Sequence, residues 1–566
     1  MTARNQSWRG WLKFALFALI AALSLPQVVD RFADIHGFAA RLVYLALLAI
    51  AWVGILGASW VRNHWLRWAL AALFAAAAYY VDTFARASGA YLTYDAHINM
   101  LASSGFIGDA LAQNRAAFLG AILPATALLL GIGLAPINRS KVPTWPTLAG
   151  PIVATIIITL LLFVRGGDGA KGLPDSYTGF AYSLLASYEH LQGGLGPRES
   201  VTMQAVSAPL YRDIVLIVDE SVAGNYLDIG SPEGVATPLS QDWAGLDIAN
   251  FGIAAAITNC SVGTNAALRF GGTRANYLRQ IAKGPSLWDY AKGAGLQTVY
   301  IDAQRTDGAY QNLMDDAERA SIDRFIQFGK VTVRDRDMAA ADALLQEMAD
   351  DRAAFIIVNK MGAHFPVHDK YPDGAMQYRP ALPRGGYTDI GDTGSREGFA
   401  GAPDDWRRYR NSYRNTLLWN VSAFFDKLLE SGTLNRALVI YTADHGQDLH
   451  EDGHAGTTTH CQSDPAPSEG AVPLVAIQGK AGALAFQPYG TASHYMIAPT
   501  LLAAMGYDRA AVRSEFGGAL DEPSSDPGTF NTLFNARLGR KPVWQLIEPA
   551  LLPASPASDC TLVSCR

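Results

Sequence analysis

Two hydropathy regimes divide the chain. Up to about residue 165, apolar residues run in long stretches with sparse charge; beyond about residue 205, short apolar runs alternate with polar, helix-periodic segments. Five stretches dominate the first part: Trp11–Val29, Leu42–Trp60, Trp65–Val81, Ala116–Leu134 and Leu148–Val164. A helix of about 20 mostly apolar residues crosses a bilayer. None of the five carries the polar stripe of a helix resting on a soluble core. Residues 1–165 are therefore predicted to form a transmembrane domain of five helices. The first stretch does not read as a cleaved signal, because Pro26, Asp30 and Arg31 follow it without a small-x-small site and further spans come after.

Loop charge sets the expected orientation. With the N-terminus inside, the cytoplasmic pieces carry Arg4, Arg9, Lys13, Arg62, Arg67, Arg139 and Lys141. The opposite side carries Arg31, Arg41, Arg86 and Arg115, interspersed with Asp30, Asp34, Asp82, Asp95 and Asp109. An odd number of spans then places everything after Val164 outside. For a bacterial inner membrane that means the periplasm. The outer loop from Asp82 to Arg115 holds an amphipathic piece, Tyr94–Ala112. Residues 166–208 read as a bridge, with an aromatic interfacial helix predicted over Leu173–Leu191.

In residues 209–545 the pattern changes to buried strands separated by helices. Asp213–Val218, Thr298–Ile301, Ala354–Val358, Ala437–Tyr441 and Val472–Ile477 are predicted strands, with helices over Met338–Asp350 and Trp406–Glu430. Such alternation predicts an α/β domain, a sheet flanked by helices. Ligands in these sheets bind at the carboxyl ends of strands. Residues 546–566 are left as a C-terminal tail.

Composition changes the picture little. Half of the 566 residues are apolar, and the formal charge of −6 gives no reason to expect nucleic-acid binding. The four cysteines, Cys260, Cys461, Cys560 and Cys565, all lie in the second half and contain no Cys-x-x-Cys pair, which argues against a structural zinc ribbon and suits an oxidising compartment.

The strand ends carry the chemistry. The first predicted strand ends in Asp219-Glu220-Ser221 and the fourth in Asp444-His445-Gly446. A carboxylate and an imidazole after one strand, with another carboxylate after a second, are typical zinc ligands; a lone Asp-His-Gly is also a common turn. Six of the 11 histidines fall between 364 and 460: His364, His368, His445, His450, His454 and His460. Third, the segment Thr258–Arg269 places Thr264 near a predicted helix N-terminus, where backbone N–H groups favour an anion. A hydroxyl there is either a helix cap or, beside a metal, an activated nucleophile.

Taken together these pieces resemble the alkaline-phosphatase/sulfatase superfamily, and more narrowly its membrane-bound lipid A phosphoethanolamine transferases. The resemblance spans nearly the whole chain. It rests on Glu220 at a strand end, on Cys260 followed four residues later by Thr264, and on Asp444-His445-Gly446. Met361-Gly362-Ala363-His364-Phe365-Pro366 with Tyr371-Pro372, then Tyr413-Arg414-Asn415-Thr416 and Ser493-His494, complete the set. It implies a mixed sheet, a phosphotransferase, and zinc held by Glu220, Asp444, His445 and Thr264. Thr264 would be the nucleophile. His364 with His454 or His460 would bind the phosphoryl oxygens, hold a second zinc or protonate the leaving group. Asn99, Ser103 and Asp109 loosely echo the substrate-binding residues of the family's outer loop. The implied partners are a phospholipid donor, a glycolipid or glycan acceptor and the lipid bilayer, with the protein expected to be a monomer.

Several departures leave the donor head group open. Arg269-Phe270-Gly271 stands where the family has the partner of the first cysteine, so Cys461 is one alternative partner for Cys260, and Cys560 and Cys565 could close a C-terminal loop. Arg305 and Thr306, within Asp302–Gly308, are imperfect substitutes for a Ser and a Lys. A phosphoglycerol transferase, a head-group hydrolase and a non-enzymatic membrane-tethered binding module remain as alternatives. A formylglycine sulfatase fits poorly, because Cys-Ser-Val-Gly-Thr lacks the Pro and Arg that maturation requires.

Overall fold

The computed structural model describes residues 3–88, 91–102, 111, 114–135, 144–193, 198–309, 312–383, 401–454, 458–462, 464–488, 490–532, 538 and 540–553. The chain divides into two compact units, residues 1–194 with 537–540, and residues 195–536 with 541–566.

The first unit is helical: α1 (Ala3–Asp34), α2 (Phe38–Ser59), α3 (His64–Ser88), α4 (Tyr94–Ala102), α5 (Arg115–Gly133), α6 (Thr144–Val164) and α7 (Asp175–Gly193). Among the described residues, α1, α2, α3, α5 and α6 supply five helices long and apolar enough to cross a membrane. Helix ends leave carbonyls without backbone partners, and cations stabilise them. Lys13 Nζ accordingly reaches Ser59 O and Leu134 O, each at 3.0 Å, at the ends of α2 and α5. Arg67 Nε reaches Gly133 O at 3.0 Å and its Nη1 reaches Val61 O at 2.8 Å. Helix α7 packs into this unit through Tyr177, Ala181, Tyr182 and Leu185, all buried. The Phe74 and Tyr177 rings meet edge to face, centroids 5.3 Å apart.

The second unit is built on a seven-stranded mixed sheet of β1 (Asp213–Asp219), β2 (Leu246–Ala255), β3 (Gln297–Asp302), β4 (Arg324–Gln327), β5 (Ala354–Asn359), β6 (Ala437–Ala443) and β7 (Ala471–Gly479). Their order is β2-β7-β6-β1-β5-β3-β4. Strand β1 is parallel to β5 and β6, and β3 is parallel to β4 and β5, while β7 runs antiparallel to β6 and β2. The central strands read as continuous apolar runs because both faces are covered: every residue of β1, β5, β6 and β7 is buried. Helices α8 (Ser261–Phe270), α9 (Arg336–Ala349) and α10 (Pro403–Leu417) belong to the layers that flank the sheet. Proline at the first position of α10 suits a site whose N–H has no partner anyway. A π-helical stretch over Leu418–Ala423 carries α10 into a further helix, Phe424–Glu430. A two-stranded sheet pairs Thr529–Asn531 with Trp544–Leu546.

Strand register determines where the chemistry falls. Asp219 pairs with Ala443, so β1 and β6 end level, and Asp444 N donates to Asp219 O at 2.8 Å. Glu220 and Asp444 therefore emerge side by side at the carboxyl edge of the sheet.

Candidate metal and phosphoryl-transfer site

Glu220, Asp444 and His445 form a trio whose ligand atoms all lie within 4.8 Å of one another, and all three residues are buried. His445 Nε2 stands 3.5 Å from Glu220 Oε1 and 3.8 Å from Asp444 Oδ2. Each member is aimed by other groups. His445 Nδ1 faces Gly446 O at 2.7 Å, and a carbonyl only accepts, so the ring proton sits on Nδ1 and Nε2 is turned to the trio. That is how a metal-binding imidazole is usually oriented. Gln304 Nε2 donates to Glu220 Oε2 at 3.1 Å, and Ser221 Oγ to Glu220 Oε1 at 2.8 Å. Asp444 Oδ1 accepts from Ser221 N at 2.9 Å and His445 N at 2.7 Å, and Asn265 Nδ2 donates to Asp444 Oδ2 at 3.3 Å.

The electrostatics follow from burial. Desolvation, the largest influence, and the neighbouring Glu220 charge hold the Asp444 carboxyl well above the usual range. Glu220 goes the other way: burial opposes its charge, but the hydrogen bond from His445 and the charges of His364 and His445 outweigh it. His445 is raised despite burial, because Asp444 and Glu220 favour its cationic form. Of the three, Asp444 and His445 thus retain protons that offset the charge of the ionised Glu220. A divalent cation offsets the same charge, and two oxygen donors with one nitrogen are a donor set zinc accepts.

Beneath the trio lies a second charged group. Lys360 is fully buried, with Nζ 2.7 Å from Asp219 Oδ2 and 3.8 Å from Asp337 Oδ2. Asp337 in turn accepts from Met361 N at 2.7 Å and Gly362 N at 3.0 Å, which fixes the segment leading to His364. Gly362 is required there. Its φ is +53°, and a Cβ would come within 2.6 Å of the Glu220 backbone. The resulting turn sets His364 where its charge acts on Glu220. His364 Nδ1 faces Phe365 O at 2.7 Å, a carbonyl that only accepts, so Nδ1 carries a ring proton.

Besides Ser221, a second hydroxyl, that of Ser261, meets the trio. Ser261 is the first residue of α8, and its Oγ lies 3.1 Å from both Glu220 Oε1 and His445 Nε2. Thr264 is fully buried. Its Oγ1 donates to Thr258 O at 3.1 Å and accepts from Thr258 N at 3.3 Å. Thr258 lies beyond the end of β2, and a hydroxyl can serve both its N–H and its C=O. Thr264, expected to complete the ligand set, has its hydroxyl bonded to the backbone of Thr258 in this structure.

The two histidines left as alternatives separate. His460 stacks on His445 with ring centroids 4.4 Å apart. His454 instead joins Asp448 at 3.1 Å and is also bonded to Asp452. Asp448, His450 and His454 are a second group with metal-ligand chemistry, but both His450 ring nitrogens face carbonyls, His454 O at 3.0 Å and Thr458 O at 3.1 Å. A disulfide joins Cys260 to Cys461 across 201 positions and ties the start of α8 to the loop bearing His460. Cys461 N donates to Asn259 O at 3.0 Å, and Asn259 Nδ2 donates to Glu469 Oε2 at 2.8 Å.

Other residues singled out in the sequence are buttresses. Tyr413 Oη donates to Ser221 O at 2.7 Å, and Asn415 Oδ1 accepts from Gln377 N and Tyr378 N. His494 is a core residue 2.8 Å from Thr442 Oγ1, and burial pushes it down to about 3. Ser103, Asp109, Cys560 and Cys565, and the side chain of Asn99, lie outside the described residues. Sequence reasoning passed over Ser261, Gln304, Asp337 and Lys360. The adjacency of Ser261 to Cys260 was the available signal.

Residues 212–507, more than half of the chain, match the sulfatase family profile. Among solved structures, the integral membrane lipooligosaccharide phosphoethanolamine transferase A (EptA) from Neisseria meningitidis is 17% identical, with 88% of this chain and 96% of that chain covered and a TM-score of 0.57. The C-terminal periplasmic domain of EptC from Escherichia coli is 15% identical over 59% of this chain and 93% of its own, TM-score 0.46. The same domain in complex with Zn is 16% identical over 65% and 100%, TM-score 0.46. A search of curated proteins by sequence found no match. The likeness to EptA is one of fold.

Proposed function

The chain belongs to the sulfatase family, and on that premise we propose that it is a zinc-dependent phosphoethanolamine transferase. It moves the head group from phosphatidylethanolamine to lipid A or another envelope glycolipid on the periplasmic side of a bacterial inner membrane. The observation that carries this reading is the buried Glu220–Asp444–His445 trio facing a helix-start hydroxyl, in a chain with five apolar helices. A bilayer anchor suits a reaction whose donor and acceptor are both lipids. The fold shared with EptA, named as a lipooligosaccharide phosphoethanolamine transferase, supports the same class.

Glu220, Asp444 and His445 would hold the zinc, which supplies positive charge where negative charge develops on the phosphoryl oxygens. The protein's own groups do the rest. Thr264, four residues after Cys260 near the start of α8, supplies the hydroxyl that takes up the phosphoryl group, dividing the transfer into two displacements. His364, through Nε2, hands a proton to the departing alcohol, and His460 stands beside His445 to bind the phosphoryl oxygens. The experiment is mass spectrometry of membrane lipids and glycans from cells with and without the protein. A phosphoethanolamine gain on a glycolipid is expected. A phosphoglycerol gain instead would overturn the donor assignment, and no gain of either would overturn the transferase reading.

A further inference from the structure

We propose that Asn420 is a positioning residue for the transfer, holding the Gly362 carbonyl and, through it, the imidazole of His364 in place against Glu220. The assignment rests on the transferase reading and on the proton that reading asks of His364. Asn420 lies in the π-helical stretch Leu418–Ala423, between α10 and the helix that follows it. In such a stretch the backbone bonds span five residues, and these stretches are rare and frequently mark functional sites. Here the widened turn presents two groups of one residue to the chain between β5 and His364. Asn420 Nδ2 donates to Gly362 O at 2.6 Å, and the Asn420 carbonyl accepts from Lys360 Nζ.

The peptide unit between Gly362 and Ala363 is thereby gripped at both edges. Its C=O goes to Asn420, and its N–H, that of Ala363, goes to Glu220 O at 2.9 Å. The preceding N–H, that of Gly362, goes to Asp337 Oδ2 at 3.0 Å. One turn before Asn420, Thr416 Oγ1 donates to Val367 O at 2.6 Å, on the other side of His364 in the chain. The turn that carries His364 is therefore tied to the zinc-ligand strand end along one edge and to the helix layer along the other. Tilting that peptide plane swings the imidazole, and a proton donor must stand within hydrogen-bond reach of the oxygen it serves.

Stability does not account for an asparagine at this place. Asn420 is buried beside Val421, Phe424 and Phe425, and its Oδ1 has no partner among the described residues. A buried acceptor left unmet is unfavourable. Leucine fills a similar volume and removes that acceptor, although it leaves Gly362 O unmet instead. The two changes oppose each other in stability. They do not oppose each other at His364, because an apolar side chain has no hydrogen to give Gly362 O.

The test isolates departure of the leaving group. Full-length protein with zinc, in nanodiscs of phosphatidylethanolamine, is followed for diacylglycerol release in a single turnover. The same protein is then given 4-nitrophenyl phosphoethanolamine and followed for nitrophenolate. The glycerol oxygen needs a proton to leave, and nitrophenolate does not. Asn420→Leu should slow diacylglycerol release about a hundredfold, with the half-saturating donor concentration unchanged. It should leave nitrophenolate release within about threefold of wild type, and zinc affinity by calorimetry unchanged. His364→Ala should show the same selective loss. Adding Asn420→Leu to it should cost little more, because two residues acting through one imidazole are not additive. Asn420→Ala carries the same expectations and decides the matter if the leucine variant does not fold. Equal losses with both esters, a loss additive with that of His364→Ala, weakened zinc binding, wild-type rates in a folded variant, or failure of both variants to fold would each overturn the assignment and leave the transferase reading standing. Wild-type protein that releases neither product would overturn both.

Discussion

Replacing Lys360 by Met removes a cation that lies against two fully buried carboxylates. Lys360 Nζ is 2.7 Å from Asp219 Oδ2 and 3.8 Å from Asp337 Oδ2, donates also to Asn420 O, and lies 4.2 Å from the centre of the Phe424 ring. Met fills a similar volume, so the packing loss is small and the charge effect dominates. Removing one partner of a buried ion pair costs about 3–5 kcal/mol, because the charge left behind is desolvated and uncompensated. At about 2 °C per kcal/mol for a domain of this size, the melting temperature should fall by roughly 6–10 °C. The loss should also depend on pH. Burial, against the pull of Lys360, already holds Asp219 up at about 6. A carboxyl raised in the folded state keeps its proton longer there than in the unfolded chain. Its contribution is fully present at low pH and is lost as pH rises through the folded value. Without Lys360 that value climbs further, so the deficit of the variant is smallest near pH 4 and grows toward pH 8. Thermal unfolding in detergent, followed by near-ultraviolet circular dichroism at several pH values, measures both quantities. Adding Asp219→Asn should recover much of the stability, since a neutral pair needs no counter-charge. A deficit below about 1 kcal/mol, or one flat across pH, would refute the claim that Lys360 neutralises the floor of the site.

Two further outcomes follow from the same structure. Burial pushes Glu469 up to about 7, against the hydrogen bond from Asn259. Its stabilising contribution is present below about pH 4.5 and is lost by about pH 7, a swing of about 3 kcal/mol that Glu469→Gln should abolish in a pH series of melting temperatures. Zinc at a hundredfold excess over its dissociation constant should stabilise the second unit by about 2.7 kcal/mol, with chelation reversing the gain and Glu220→Ala eliminating it; a metal response unchanged in Glu220→Ala would refute the ligand assignment.

How far the sequence disclosed this molecule differs from element to element. The central strands were legible because they are buried on both faces and therefore apolar without interruption. Asp213–Val218 became Asp213–Asp219, and Ala354–Val358 became Ala354–Asn359. Strands β2 and β4 lie at the two edges of the sheet, and their residues are mostly half-buried. Their mixed pattern resembles that of a loop, so neither was anticipated. Glu220, Asp444 and His445 could be placed together because strand ends of a parallel pair fall level once the register is known. The hydroxyl could not be placed in the same way. Ser261 and Thr264 lie three residues apart at the start of one helix, and which of them faces the trio depends on rotamers and on the unmet backbone groups of Thr258. Lys360 and Asp337 are distant in sequence from the motifs they support, and an isolated Lys or Asp carries no pattern to mark it. Gln304 lies two residues past the end of β3, close to Arg305 and Thr306, which the family pattern had brought forward.

The Cys260–Cys461 bond has a bearing on when, as well as where, the protein becomes competent. Its two halves are separated by 201 positions. During synthesis the segment around Ser261 emerges long before Cys461 exists, and the bond closes only once both have reached an oxidising compartment. Until then the helix start is not tied to the loop bearing His460. On the proposed periplasmic reading, the crosslink therefore acts as a checkpoint on maturation: its closure requires the chain through Cys461 to have been made and to have reached an oxidising compartment.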